Sequence, residues 1–369
     1  MMKNKSLKQL KIAHLHVWDK KNKGDWAIVL AVQELLKANF PGCQIIDFPV
    51  SLLKEGRLAE AQKINQADFV IIGGGGIFYS YFLPYNQEFI KAIVKPIIIF
   101  GAGYIKEVDA PEIKKEAALS VAFLARQAKL VGLRDNNTKK FLIKNGVPAN
   151  KIQVIGDPAA LLKEKKLTAT QLRALKLNQS PSNLVKKKSP FRIGLNLNYA
   201  GWLGFGKWRE DILKAYREVA EYFQQEYGGQ NGLGVEIYYL KHHPGEDHIY
   251  PELKIKNLRV VDLKPAEQKE LYGHLDLIIG MMLHVGVMAF GAGTPEISVA
   301  YDLRNHSFAE YIGYPELVVD LEALKTGELL KRVKMVWKKR EKYQQAFIRL
   351  KKKIATKQSL FLKKVKTII

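Results

Sequence analysis

Along the first half of the chain, short continuous apolar runs alternate with longer stretches whose apolar positions recur every three or four residues. "KIAHLHV", "CQIIDF", "ADFVIIG", "KPIIIFG", "AKLVGLRD" and "KIQVIGD" are short, predominantly apolar and rich in β-branched residues, and read as strands buried on both faces. "DWAIVLAVQELLKANF" and "EIKKEAALSVAFLARQA" between them carry helical periodicity. Strands separated by helices predict a parallel sheet covered on both sides. From about Leu161 to Pro190 the rhythm breaks into a polar, Lys-rich segment with two Ser-Pro junctions and no strand, which suits an interdomain connection. It then restarts with "FRIGLNLN", a long helix near residues 207–227, "GVEIYYL", "LRVVDL", "LDLIIG" and "TPEISVAYD".

The expected fold is therefore α/β, with two Rossmann-like domains facing a cleft. Residues 1–165 form the first domain and 166–190 the linker. Residues 191–325 form the second domain and 326–369 a basic C-terminal helix. Ligands of open parallel sheets bind beyond the C-terminal ends of the strands, so functional residues should follow strands directly.

Composition narrows the class. With 369 residues, 47% hydrophobic and 26% charged, the chain suits two ordinary globular domains. No run approaches the roughly 18 apolar residues of a membrane span, and the basic N-terminus lacks the apolar core of a signal peptide. A single cysteine, Cys43, excludes an intramolecular disulfide or a cysteine-based zinc site. The expected location is the cytoplasm, with peripheral contact at the inner face of the membrane. Of the net charge of +23, fourteen units fall in residues 331–369, where fifteen Lys or Arg face one acid, Glu341. The same segment has an apolar stripe through Val333, Val336 or Trp337, Tyr343, Phe347, Leu350 and Ile354. Such a helix either packs on the body with a solvated lysine face or docks on anionic lipid or a lipid-linked substrate. No nucleic-acid-binding fingerprint accompanies the charge, so nucleic acid is not an expected partner.

The chemistry-bearing stretches follow strands. The four glycines of "IIGGGGIF" fail the dinucleotide spacing, with Phe78 or Tyr79 at the third position, and "FGAGYIK" fails with Lys106; no P-loop is present. What remains is a strand end without side chains, at Gly74, Gly75 and Gly76, suited equally to close packing and to ligand contact. Asp25 in "KGDWAI" is placed as a helix N-cap. Arg134 and Asp135 end a strand: the guanidinium suits an anionic ligand, and Asp135 suits the cap of the next helix. In "KHHPGEDH" the spacing is wrong for a metal-binding helix, and His242, His243 and Asp247 are general acid/base candidates. His284 lies in the first turn of an apolar helix after Gly280, and Arg304 lies in the loop beyond "TPEISVAYD". The two follow neighbouring strands and could converge on one anion.

In order, "GDWAI", "GGGGIF", "GAG", "LRD", "GDPA", "HPGED", "GMMLHVGVMAFGAGTP" and "YDLR" resemble the polysaccharide pyruvyl transferase family over nearly the whole chain to about residue 315. The resemblance implies a GT-B-like architecture and transfer of pyruvate from phosphoenolpyruvate onto two hydroxyls of a cell-surface glycan or its lipid-linked precursor, as a ketal. It implies anion binding by Arg134, His284 and Arg304, with His284 protonating the leaving phosphate. His243 or Asp247 would supply a proton, and Asp25 and the glycines would face the acceptor. Phosphoenolpyruvate is then a donor substrate, and neither a cofactor nor a metal is expected. The chain departs from the family where Met282 replaces a common arginine and Arg304 a common lysine. The alternatives are a GT-B-like glycosyltransferase using a sugar nucleotide, or a catalytically silent binding protein on the same fold.

Overall fold

The structure, a computed structural model, describes residues 9–107, 110–177, 190–198, 205–228 and 234–369. Much of the expected linker, residues 178–189, lies outside the described residues.

Among the described residues, twelve strands form two six-stranded sheets in which every pairing is parallel. The first contains β1 (Lys11–His16), β2 (Gln44–Pro49), β3 (Phe69–Phe78), β4 (Ile97–Tyr104), β5 (Leu130–Leu133) and β6 (Ile152–Val154), in the order β2-β1-β3-β4-β5-β6. The second contains β7 (Phe191–Leu195), β8 (Val235–Leu240), β9 (Arg259–Val261), β10 (Leu277–Gly280), β11 (Glu296–Ala300) and β12 (Val318–Asp320), in the order β12-β11-β10-β7-β8-β9. The α/β expectation holds, and the eleven strands read from apolar runs are present. β12 escaped that reading because its three residues at the sheet edge give no period to detect.

β3 does not stop at its glycines. It runs ten buried residues through them, Gly73 pairing with Phe100 and Gly75 with Ala102 of β4. Gly73 and Gly75 have φ of 123° and 94°, where L side chains are strained. A Cβ on Gly73 would lie 2.5 Å from the Phe100 carbonyl oxygen, and one on Gly74 would lie 2.5 Å from Ile28 Cγ2. The bare backbone lets the neighbouring strand and the helix Lys23–Asn39 approach closely, so the stretch is strand and not loop.

The basic C-terminal segment forms two helices, Glu328–Lys338 and Arg340–Lys366. The second starts on the second domain, where Tyr343 and Phe347 join its core. It ends on the first sheet, where Phe361, Leu362 and Val365 pack with Ile12, Val32, Phe69 and Phe100. Its apolar face is thus buried on the body, while Lys352, Lys353, Lys357, Lys363 and Lys364 stay exposed. Among the described residues no helix is long and apolar enough to cross a membrane.

Candidate active site

A cavity of about 810 Å³ opens between the two sheets, lined at every side by residues that follow strands. Val17–Asp25 leave β1, Gly76 and Tyr79 belong to β3 and its exit, and Asn198 follows β7. Met282, Leu283 and His284 follow β10, and Tyr301 and Arg304 follow β11. In the first sheet the connections reverse direction between β1 and β3, and in the second between β7 and β10. Both reversals face the same space, which is where open α/β sheets leave a crevice for ligand.

His284 is in the first turn of the helix Leu283–Ala292, as expected, and is 6% exposed. That helix begins directly against the first turn of Lys23–Asn39: a methyl group on Gly24 would overlap the His284 ring. Burial holds the imidazole well below its ordinary pKa, and the charges of Arg134 and Arg304 add to the effect. It is therefore neutral, and its Nε2 has no hydrogen-bond partner among the described residues.

Arg134 is 4% exposed at the end of β5. Its Nε donates to Asp135 Oδ2 at 3.3 Å, and Asp135 also caps the following helix through Thr138 N at 2.7 Å, as predicted. Gly103 clears space for the guanidinium, which a Cβ there would overlap. Arg134 Nη1 has no hydrogen-bond partner among the described residues and lies 3.8 Å from Asp157 Oδ2, and His284 Nε2 lies 3.8 Å from the same oxygen. Arg134 and His284, from different domains, thus converge on one buried carboxylate. Burial raises the Asp157 carboxyl to about 6 despite the opposing Arg134 charge.

Arg304 is not in a loop. Asp302 caps the helix Leu303–Ile312, and Arg304 is the second residue of that helix. The guanidinium is oriented by Asp302 Oδ2 (Nε at 2.7 Å) and by the Tyr301 hydroxyl oxygen (Nη2 at 3.1 Å). Its charge reaches Asp25 of the first domain, whose carboxyl burial nevertheless raises to about 6.

Asp25 lines the cavity but is not the cap expected of it. Asn22 caps the helix, its Oδ1 accepting from Gly24 N at 3.0 Å and Asp25 N at 3.4 Å, because the helix starts two residues before Asp25. Of the three glycines Gly76 lines the cavity, whereas Gly74 and Gly75 face Ile28. His243 lines the cavity and caps the short turn Pro244–His248, its Nδ1 accepting from Gly245 N at 3.0 Å. Asp247 is paired with Lys241 at 2.8 Å on the surface and is not among the cavity residues. His242 is fully buried, with Nε2 2.6 Å from the Tyr272 hydroxyl.

Several site residues went unread. Asp157 stood in the "GDPA" stretch, but its partners come from distant elements. Glu246 lines the cavity, raised by burial to about 7, and accepts from Asn196 Nδ2, the Tyr239 hydroxyl and the amides of residues 242 and 243. Tyr79 donates to Glu107 Oε1 at 2.5 Å, and both line the cavity. Exposed Trp18 and Tyr81 stand at its first-domain side.

The family model for polysaccharide pyruvyl transferase matches residues 22–302, which span these elements. The amylovoran biosynthesis protein AmsJ of Erwinia amylovora is 23% identical over 310 residues, 78% of this chain and 69% of that protein. Among solved structures, Anabaena HepE in complex with UDP-glucose superposes with a TM-score of 0.56 at 12% identity, covering 98% of this chain and 100% of HepE. The S. aureus MnaA–UDP structure gives a TM-score of 0.58 at 12% identity, covering 92% of this chain and 90% of MnaA. The UDP-GlcNAc 2-epimerase of Methanocaldococcus jannaschii gives 0.55 at 13% identity, covering 92% and 99%. These likenesses are of fold, a GT-B-like pair of domains.

Proposed function

We propose, from the chain's membership of the polysaccharide pyruvyl transferase family, that it moves pyruvate from phosphoenolpyruvate onto two hydroxyls of a cell-surface glycan or its lipid-linked precursor. The observation that carries this reading is the meeting of Arg134 and His284, from opposite domains, on Asp157, with His284 and Arg304 lining the cavity and Arg134 and Asp157 not among its lining residues. Phosphoenolpyruvate brings a phosphate and a carboxylate, and two guanidiniums with an imidazole match that pair of anions.

A proton is added to the methylene carbon of the donor, leaving positive charge at the carbon that bears phosphate. One acceptor hydroxyl forms a C–O bond there and gives up its proton; the carbon–oxygen bond to phosphate breaks, and phosphate leaves with a proton. The second hydroxyl closes the ketal and loses its proton. Two hydroxyl protons are thus released, balancing the one gained by carbon and the one carried off by phosphate. His243, which lines the cavity, is the donor to carbon in this scheme. Asp25, raised to about 6 and still mostly ionised at pH 7, is the base for an acceptor hydroxyl on the first-domain side. Neutral His284 takes up a proton when a phosphate dianion arrives, with Asp157 behind the imidazolium, and returns it to the leaving group. Asp247, tied to Lys241 away from the cavity, has no step here. The exposed lysines of the C-terminal helix would hold the enzyme against anionic lipid beside a lipid-linked acceptor.

Incubation with phosphoenolpyruvate and a panel of diol-bearing glycans should release phosphate, and His284→Ala should abolish release. Met282 leaves a neutral thioether at the cavity wall where the family often has arginine, which favours testing sugar nucleotides in parallel. A thermal shift with UDP-sugars and none with phosphoenolpyruvate would replace this reading with glycosyl transfer. Binding of either without turnover would make the protein a silent binder.

A further inference from the structure

On the first sheet, outside the cavity and its chemistry, His14, His16 and Asp47 place three potential ligand atoms within 4.8 Å of one another. His14 and His16 are alternate residues of β1, and Asp47 pairs with His14 in register on β2, so the three share one face of the sheet. Their hydrogen bonds fix the tautomers. His14 Nε2 lies 2.7 Å from the Gly73 carbonyl oxygen, and His16 Nδ1 lies 2.9 Å from that of Val17. Carbonyls only accept, so those nitrogens carry the hydrogens and the opposite nitrogens carry lone pairs. His14 Nδ1 is buried without a hydrogen-bond partner among the described residues. His16 Nε2, with its lone pair, faces Asp47 Oδ1, an acceptor, at 3.1 Å.

Two lone pairs facing each other at that distance require a cation between them. A proton can bridge His16 and Asp47, but it leaves the buried Nδ1 of His14 unsatisfied. A metal ion satisfies all three. We propose that His14, His16 and Asp47 bind a divalent transition cation of the zinc type, independently of the reaction proposed above. Two imidazoles and a carboxylate are a donor set suited to such ions. Metal–ligand bonds of about 2.0–2.1 Å in tetrahedral geometry put neighbouring ligands about 3.3 Å apart, close to the His16–Asp47 separation. The outer partners are also in place. Backbone carbonyls hold both rings, Gln33 Nε2 donates to Asp47 Oδ1 at 2.7 Å, and Trp18 stacks on His16 with 5° between planes. Trp18 and Pro49, each two residues beyond a ligand, line the cavity, so the ion would clamp the first-domain wall.

The full untagged chain, stripped with a chelator and dialysed, is titrated with Zn²⁺ and with Co²⁺. One equivalent of zinc should bind per chain and raise the melting temperature, and Co²⁺ should develop visible absorption of a nitrogen–oxygen site. His16→Gln and Asp47→Asn should each weaken zinc by more than about tenfold and abolish the shift. His306→Gln, which removes an exposed histidine paired with Asp320, should leave both unchanged. Substoichiometric binding, or a shift that survives Asp47→Asn, would overturn the proposal. Asp47 is partly exposed, so its variant decides the question even if changes at buried His14 prevent folding.

Discussion

Asp157 lies 3.8 Å from both Arg134 and His284, and its own charge depends on pH. Its folded pKa of about 6 exceeds the ordinary 3.8, so the folded state holds the proton more tightly than the unfolded one. Its contribution to stability is therefore present in full below about pH 3.8 and lost as pH rises through about 6. Asp157→Asn, which keeps a capping oxygen, should thus compare better with the parent at pH 8 than at pH 5 when melting temperatures are measured. A difference independent of pH would mean that Asp157 is ionised throughout. Arg134→Lys keeps charge but loses the fork, and should lower kcat/KM for phosphoenolpyruvate by about 10- to 100-fold. Gly24→Ala should lower turnover by about a hundredfold by displacing His284, while the chain stays folded. Arg134, His284 and Arg304 were legible because each follows a strand, and that position alone fixes the end of the sheet. Asp157 and Glu246 were not, because their roles depend on partners contributed by several separate segments.

At the scale of elements, the glycine run and the C-terminal helix show where periodicity is silent. Four glycines carry no pattern, and only the approach of Ile28 and Phe100 explains why β3 continues through them. The C-terminal stripe of apolar residues was readable, but not its double duty, packing first on one domain and then on the other. Phe361→Ala should therefore destabilise the first domain by about 3–5 kcal/mol, read as a lower urea midpoint. Replacing exposed Lys352, Lys353 and Lys363 by Gln should leave that midpoint unchanged and reduce retention on anionic vesicles in low salt. Unchanged retention would leave the lysine face as ordinary solvated surface.

Across the whole molecule, the two sheets bring their reversal points to one cavity, and the domains are joined where its residues sit. Lys23 donates its amide to the His242 carbonyl at 3.0 Å, and Leu303 N donates to the Lys106 carbonyl oxygen at 3.0 Å. Fold class followed from alternating strands and helices, whereas the facing of the two sheets is a tertiary fact that no local pattern encodes. The proposed chemistry needs both halves at once, since Arg134 and Asp25 come from the first and His284 and Arg304 from the second. Its central claim is that the two halves hold phosphoenolpyruvate between them. The most direct test is a crystal structure of the His284→Ala protein soaked with phosphoenolpyruvate, paired with phosphate release by the parent protein. The account predicts donor phosphate and carboxylate on Arg134 and Arg304, with release by the parent alone. No bound donor, together with no release from any glycan, would contradict it.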